Sequence, residues 1–110
     1  MHLPNCTEAH VDRRKLTEYL LNRDHPDATG KSAFFYGRYG DNWTELRDDL
    51  QEHATGAVAS VEETRHGTTY VIEKPLSGAL VRSVWMIRTG ESIPRLVTAY
   101  PIEGSSTNDG

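Results

Sequence analysis

The chain contains a single cysteine among 110 residues, which excludes an internal disulfide and leaves no second thiolate for a metal site. Its apolar runs are short, and a run such as Val84-Trp85-Met86-Ile87 falls far below the roughly 20 residues that a membrane-spanning helix needs. It has no glycine-rich nucleotide loop, no Gly-x-Ser-x-Gly elbow and no paired catalytic carboxylate motif. These absences predict a domain with no membrane span and no familiar nucleotide-binding or acyl-transfer site.

The N-terminal residues lack the basic start and the apolar stretch of a secretion signal. We therefore expect a protein that works in the cytosol. Alternatively, it was cleaved from, or is exported together with, a segment that carries the targeting signal. Residues 1–10, which include His2 and His10, are largely polar, and residues 104–110 hold no apolar side chain. Both segments are predicted to be flexible termini.

The size and charge of the chain restrict its function. A chain of 110 residues, 36% hydrophobic and 25% charged, suits one compact domain with one modest core. Its net charge of -4 argues against a strongly basic nucleic-acid-binding protein, because indiscriminate affinity for phosphates comes from clustered Lys and Arg. The charge is uneven, however. Residues 41–63 hold seven acids against one arginine, a net of -6, whereas residues 64–102 hold five bases against two acids, a net of +3. This pattern predicts an acidic face and a basic sheet, although an acidic run is also typical of the solvated side of a helix.

Three helices are predicted in the first half of the chain. Asp12 is a suitable N-cap for a helix over about residues 13–22, where apolar residues recur at steps of three and four. A second, shorter helix is expected to begin at about residue 29 or 30 and to end near residue 37 or 40. Asn42 and Glu45 form a capping-box pattern, which predicts a third helix to about residue 54.

The second half of the chain changes to the periodicity of strands. Four strands are expected, over about residues 57–64, 68–74, 80–88 and 93–102. The short turns between them join antiparallel neighbours, which predicts a meander. The fold class is therefore α+β, with two or three N-terminal helices packed on a four-stranded antiparallel sheet in a single domain over residues 11–103. The helices should cover one face of the sheet and leave the other open for a ligand.

Two polar segments hold side chains that suit chemistry at a phosphodiester. The first, His25-Pro26-Asp27-Ala28-Thr29-Gly30-Lys31, lies between the first two helices, and the second, Arg95-Leu96-Val97-Thr98-Ala99-Tyr100-Pro101, closes the last strand. Together they contain an imidazole, an ammonium, a guanidinium, a hydroxyl and a phenol. Cleavage of RNA by its own 2′-hydroxyl needs a proton acceptor, a cation at the phosphate and an acid for the leaving oxygen, and no metal is obligatory.

The first segment supplies two candidate catalytic residues. His25 is a candidate for proton transfer, because an imidazole exists in both forms near neutrality. Lys31, in the first turn of the second helix, is a candidate for holding the phosphate, since the backbone N–H groups of a helix start also point at an anion. A histidine before a proline is, alternatively, typical of a loop that caps neighbouring backbone.

The second segment supplies three more candidates. Thr98, which we count as catalytic, and Tyr100 lie two residues apart, so they share a strand face and can orient the phosphate or stack on a base. Arg95 can bind phosphate oxygens through paired N–H donors of its planar guanidinium. Arg95 has the opposite parity, so a regular strand would place it on the other face unless Pro94 sits at a bulge. A surface ion pair for Arg95 and ordinary strand packing for the other two remain alternatives.

A metal site is not expected. His53 and His66 are separated by a turn and a strand, with no Cys or His at ligand spacing around them. The cleavage chemistry outlined above also calls for no other cofactor.

A family resemblance runs through residues 13 to 102. Its motifs are, in order, Lys15-Leu16, Tyr19-Leu20-Leu21-Asn22, His25-Pro26, Gly30-Lys31-Ser32-Ala33-Phe34-Phe35, Trp43, Leu46 and Pro94-Arg95-Leu96-Val97-Thr98-Ala99-Tyr100-Pro101. This order resembles a small bacterial family known only as a domain of unknown function, DUF6883. The layout is also similar to bacterial ribonuclease toxins of the barnase, EndoU, colicin and RelE-like fold. Some contact-dependent toxins that resemble ribonuclease A end in a similar Thr-Ala-Tyr-Pro strand.

The second resemblance implies a toxin-like endoribonuclease. Such a protein would cleave RNA, for example tRNA, and would be held in check by a cognate immunity or antitoxin protein. Two alternatives stay open. The chain is itself an immunity-like or antitoxin-like partner, whose acidic third helix covers a basic toxin, or it is an interaction domain without catalysis.

Overall fold

The structure, a computed structural model, describes residues 1–21 and 31–102, and for residues 31–33 it describes the backbone only. Its elements are a 3-10 turn Cys6–Glu8, helix α1 Arg13–Lys15 with a π-helical turn Leu16–Leu20, helices α2 Lys31–Tyr39 and α3 Trp43–His53, and strands β1 Val58–Thr64, β2 Gly67–Leu76, β3 Ala79–Arg88 and β4 Arg95–Pro101. The strands form one antiparallel sheet in the order β1-β2-β3-β4. The predicted α+β fold, with its helices N-terminal to the strands, is confirmed. No helix in these two ranges is long and apolar enough to cross a membrane.

The first helix begins as predicted but changes type after one turn. The side chain of Asp12 accepts a hydrogen bond from the backbone N–H of Arg14 at 2.9 Å and so caps α1. The N–H of Leu21 then bonds to the carbonyl of Leu16 at 2.7 Å, five residues back, which is the π-helical spacing. Leu16, Leu20 and Leu21 are all buried, so the widened turn directs all three leucines into the core.

Helix α3 follows its sequence pattern closely. The side-chain oxygen of Asn42 accepts the N–H of Glu45 at 3.2 Å, and its amide donates to the Glu45 carboxylate at 3.2 Å. Leu46, Leu50 and His53 are fully buried. The helix is therefore capped at its start and anchored along one side.

The sheet has two distinct faces because side chains alternate along each strand. On the inner face, Ile72 of β2, Val81 and Trp85 of β3, and Ala99 of β4 are fully buried in one core with side chains of α2 and α3. We call the opposite side the outer face. Its residues on β2, β3 and β4 are partly or largely exposed: Thr69, Val71, Glu73, Arg82, Val84, Met86, Arg88, Arg95, Thr98 and Tyr100. The helices thus leave one face open, as expected.

The turn between β2 and β3 is tighter than the sequence predicted. Pro75 and Leu76, expected in the turn, remain in β2 opposite β3. Only Ser77 and Gly78 turn the chain, with φ angles of 53° and 87°. Positive φ at both central residues matches the right-handed twist of the flanking strands, and glycine adopts it without strain.

Residues 1–10 differ from the flexible terminus that the sequence predicted. Leu3 is 2% exposed and Ala9 is 3% exposed, and both belong to the core. The N–H of Val58 donates to the carbonyl of Met1 at 2.8 Å, and the side chain of Asn5 donates to the carbonyl of Ser92 at 2.8 Å. The packed unit therefore begins before residue 11, because two apolar side chains anchor an otherwise polar segment. Residues 104–110 lie outside the described ranges.

Candidate functional site

A β-bulge interrupts the pairing of β3 with β4. Val84 pairs with Thr98, whereas the next residue, Trp85, pairs with Leu96. Val97 is therefore an extra residue without a partner on β3, which is the definition of a bulge. The alternation of side chains changes parity across this point.

The bulge places the three candidates of β4 on one face. Arg95, Thr98 and Tyr100 all pair with β3 residues of the outer face. The parity conflict of a regular strand is thus removed, and the residue responsible is Val97 rather than Pro94. A guanidinium, a hydroxyl and a phenol therefore lie along one exposed surface, away from the helices.

The phenol of Tyr100 is oriented by an arginine of the neighbouring strand. Arg82 donates from Nη1 to the Tyr100 hydroxyl at 3.1 Å, and its guanidinium carbon lies 5.6 Å from the centroid of the tyrosine ring. Arg82 also donates from Nε and Nη2 to one Glu73 oxygen at 2.8 and 2.6 Å. The hydrogen bonds to Tyr100 and Glu73 raise the pKa of the guanidinium. Glu73 balances the charge of Arg82, so this end of the outer face presents mainly the oriented phenol.

The other end of the outer face forms a cleft with the N-terminal segment. We call it the basic cleft, and its volume is about 350 Å³. It is lined by His10, Asp12, Lys15, Met86, Arg88, Arg95, Leu96 and Val97. Three permanent cations and an imidazole thus surround one concave surface beside the bulge, against a single carboxylate.

His10 is held in this cleft by its backbone. Its N–H donates to the carbonyl of Pro94 at 2.8 Å, and its carbonyl accepts the N–H of Leu96 at 3.0 Å. Its neighbours Ala9 and Val11 are buried while His10 itself is exposed, which is the alternation of an extended strand. Residue 10 therefore continues the sheet by one short parallel bridge along β4.

Sequence reasoning missed His10, because it assigned the residue to a loose terminus. The bridge pairs His10 directly with Arg95, and the two residues also line a second cavity together with Glu8 and Ile93. The pattern that could have identified it is the alternation apolar, histidine, apolar over residues 9–11, which is typical of a short half-buried strand.

The cationic surface continues past the cleft. A third cavity, of about 620 Å³, shares Met86 and Arg88 with the basic cleft and is also lined by Arg65, His66 and Thr89. The predicted basic character of the sheet is therefore concentrated at the end where the β1–β2 hairpin and the end of β3 meet. Arg95 lies 46% exposed near the middle of this surface, with its Nε 3.3 Å from a Glu91 oxygen.

The two remaining candidates are placed less fully. His25 lies outside the described residues. Lys31 is the first residue of α2, and α2 packs against β4, but the described part of Lys31 is its backbone. Of the five predicted site residues, the structure therefore places Arg95, Thr98 and Tyr100 on one face of the sheet. Within the described ranges, no three His, Cys, Asp or Glu residues form a group that could hold a metal ion.

A buried serine–histidine pair lies on the inner side of the sheet. The Nδ1 atom of His53 is 2.7 Å from the Ser83 hydroxyl, and its Nε2 is 2.9 Å from the Lys74 carbonyl and 3.1 Å from the Val81 carbonyl. Since carbonyls only accept, Nε2 carries the proton, and Nδ1 accepts from Ser83. Trp85 Nε1 in turn donates to the Ser83 oxygen at 2.8 Å.

This pair stabilises the fold and does not form a nucleophilic site. Ser83, His53 and Trp85 are all fully buried, so no substrate reaches the hydroxyl. Every polar atom of the three side chains has a partner, as buried polar groups require. Burial lowers the pKa of His53. The network joins α3 to β2 and β3 with neutral groups.

The chain matches the family model described as a domain of unknown function, DUF6883, over residues 2–103. It therefore belongs to this family, as the order of its residues predicted. No curated protein and no solved structure matches the chain. The similarity to ribonuclease toxins stays a prediction. The family match includes the N-terminal segment that carries His10.

Proposed function

We propose that this protein is a toxin-like endoribonuclease that cleaves RNA, such as tRNA, through attack of a 2′-hydroxyl on the adjacent phosphate without a metal ion. The observation that carries this proposal is the bulge at Val97, which places Arg95, Thr98 and Tyr100 on the outer face, where Arg95 lines the basic cleft. Cleavage of this kind needs a cation, an orienting group and proton transfer at one phosphate. The outer face supplies the first two on one strand.

The side chains of β4 suit separate parts of an RNA strand. The guanidinium of Arg95 can bind two phosphate oxygens at once, in place of its exposed contact with Glu91. The hydroxyl of Thr98 can orient the same phosphate. The ring of Tyr100, held by Arg82, offers a surface for an unpaired base, which is how proteins commonly bind single-stranded RNA.

The segment before α2 is proposed to complete the site. His25 would transfer a proton, and Lys31 would hold the phosphate.

The test is incubation of the full chain with total tRNA, with and without a chelator of divalent metals. We expect cleavage in both conditions and products that end in a 2′,3′-cyclic phosphate. DNA of matching sequence should stay intact, because it lacks the attacking hydroxyl. Absence of RNA cleavage, cleavage that the chelator abolishes, or cleavage of the DNA would each contradict the proposal.

The alternative role as an immunity-like partner rests on the acidic α3, and the contacts of that helix favour it less. Asp49 accepts the Tyr39 hydroxyl at 2.6 Å, and Glu52 pairs with Lys74 at 2.9 Å. Asp48 lies 3.1 Å from an Arg47 nitrogen. Because these carboxylates already have partners within the chain, they present less charge to a basic toxin. Co-purification with a basic protein, lost when Asp48 is replaced by Lys, would select this alternative.

A further inference from the structure

We propose that the basic cleft is a binding site for one phosphate group and that His10 and Arg95 are its central ligands. The chemical class of the ligand is a phosphate or phosphodiester anion. That this phosphate belongs to an RNA chain rests on the proposed function, whereas the anion site itself rests on the geometry of the cleft.

His10 and Arg95 share a face of the sheet. Residues directly opposite each other in paired strands direct their side chains to the same side of a sheet. His10 is paired with Arg95, and Arg95 is paired with Met86 on the outer face. The imidazole therefore extends the outer face by one position beyond β4, at a backbone spacing of about 4.8 Å from Arg95.

His10 is fixed in place by its backbone before phosphate binds. Its backbone makes two hydrogen bonds to β4, and Gln51 Nε2 donates to the carbonyl of Ala9 at 3.2 Å. Buried Ala9 and Val11 flank it on both sides. A side chain that is already held in this way loses less conformational freedom when it binds phosphate than a side chain on a mobile terminus would lose.

The imidazole of His10 is surrounded by cationic side chains. Lys15 of α1, Arg88 of β3 and Arg95 of β4 line the cleft with it. Arg88 is exposed and forms no ion pair with any residue in the described part of the chain. A dianion or a phosphodiester would satisfy cations that the fold has gathered but not neutralised.

The carboxylates near His10 are few and partly engaged. Asp12 lines the cleft, and its side chain already caps α1 through the N–H of Arg14. Glu91 lies at 3.3 Å from Arg95, and Glu8 lines the adjoining cavity with His10. The positive groups therefore outnumber the negative ones inside the cleft.

The shape of the surface favours a polynucleotide over a single small anion. The cavity lined by Arg65, His66 and Arg88 continues from the cleft and offers cations for a second phosphate. Cleavage of RNA also needs a proton to be removed from one oxygen and delivered to another. A histidine beside the bound phosphate is placed to make one of these transfers.

The experiment is a titration of the full chain with inorganic phosphate, followed by the NMR signals of the five histidine rings. We expect the His10 ring signals to shift and to saturate as phosphate is added. His10→Gln and Arg88→Gln should each weaken phosphate binding by about tenfold, which corresponds to one lost charge-assisted contact.

His2→Gln is the matched control. His2 is likewise exposed and likewise held in an isolated bridge, but its partner is Ala57 at the start of β1. This variant should bind phosphate like the wild type. The backbone bonds of residues 2 and 10 do not depend on the imidazole, so both variants should melt at nearly the wild-type temperature.

The outcomes separate this inference from the proposed function. If phosphate shifts the His10 ring but no RNA is cleaved, the anion site stands and the ribonuclease proposal falls. If RNA is cleaved while His10→Gln binds phosphate with wild-type affinity, the inference is overturned and the ribonuclease proposal stands. A short single-stranded DNA oligonucleotide should compete with phosphate without being cleaved, and a lack of competition would overturn the assignment to a polynucleotide.

Discussion

The Nδ1 atom of His53 lies 2.7 Å from the hydroxyl oxygen of Ser83, and solvent reaches neither side chain. The histidine is neutral here, because the Ser83 hydroxyl donates to it and the serine oxygen is already occupied by the Trp85 N–H. Protonation of Nδ1 would direct a second N–H donor at that oxygen, beside the Trp85 N–H, and would leave the serine proton without its acceptor. The stability of the fold is therefore linked to pH through this one imidazole.

The first prediction is a loss of stability in mild acid. The pKa of His53 is lowered by burial from its ordinary 6.5, so the unfolded chain binds a proton that the folded chain does not. The contribution of neutral His53 to the free energy of unfolding is complete above pH 6.5, and it is lost as the pH falls below 6.5 toward the pKa of His53 in the folded state. Thermal melting of the wild type and of His53→Gln from about pH 8 to about pH 5 would measure it. The wild type should lose more stability than the variant, and parallel curves would contradict the prediction.

The second prediction concerns the other half of the pair. Ser83→Ala removes the donor to His53 and the acceptor of the Trp85 N–H, so two buried groups lose their partner. The free energy of unfolding should fall by about 1–3 kcal/mol, as measured by urea denaturation. Ser60→Ala is the matched control, because Ser60 is exposed on β1. It should change stability by no more than about 0.5 kcal/mol, and equal effects at both sites would refute the role of the network.

A third prediction follows from the packed N-terminal segment. Leu3→Ala should lower the free energy of unfolding by about 2–4 kcal/mol, because the side chain is 2% exposed within the core. Val61→Ala, at a strand position 43% exposed, should cost less than about 1 kcal/mol. Chemical denaturation of both variants is the measurement. A Leu3 variant as stable as the Val61 variant would mean that the segment does not contribute to the core.

The fourth prediction contrasts two glycines. Gly67 begins β2 with a φ of +147°, and a Cβ there would overlap the carbonyl of Ile87. Gly67→Ala should destabilise the fold by at least about 2 kcal/mol. Gly37 lies in α2 with open space around it, so Gly37→Ala should stabilise by about 0.5–1 kcal/mol. Melting temperatures that move in opposite directions would support this contrast, and a neutral Gly67 variant would refute it.

The fifth prediction tests the proposed site. Arg95→Gln should reduce RNA cleavage by about 10- to 100-fold, since it removes a charged donor from the phosphate. Its stability should stay close to that of the wild type, because the lost pair with Glu91 is a surface contact between residues four apart. Arg14→Gln breaks an equivalent exposed pair with Glu18 and should leave cleavage unchanged. Similar cleavage rates in the two variants would argue against Arg95 as a phosphate ligand.

Sequence reasoning succeeded where structure is set by nearby residues. The cap formed by Asn42 and Glu45 and the hairpin before Gly67 depend on spacing within a few residues, and both occur where they were expected. The bulge at Val97 depends on how β4 aligns with β3, which no local pattern in β4 specifies. The expectation of a regular strand therefore assigned Arg95 to the face opposite to Thr98 and Tyr100, which is wrong.

The same reason explains the missed histidine. His10 becomes part of the site only because the N-terminal segment pairs with the edge of β4. The local sequence of one segment does not indicate a pairing partner that lies more than 80 residues away. The family resemblance was confirmed because it rests on the order of residues, which needs no spatial information. The positions of Thr98 and Tyr100 on one face also followed from simple alternation.

The strap formed by residues 1–10 touches both rims of the sheet. The backbone of Met1 and His2 pairs with the chain at the start of β1, and the backbone of His10 pairs with β4. A segment of about ten residues therefore contacts both edge strands of the sheet. Such rims otherwise offer rows of open N–H and carbonyl groups on which another chain can add a strand. Trimming this strap would uncover parts of both rims at once, and copies of the domain could then join edge to edge into growing assemblies.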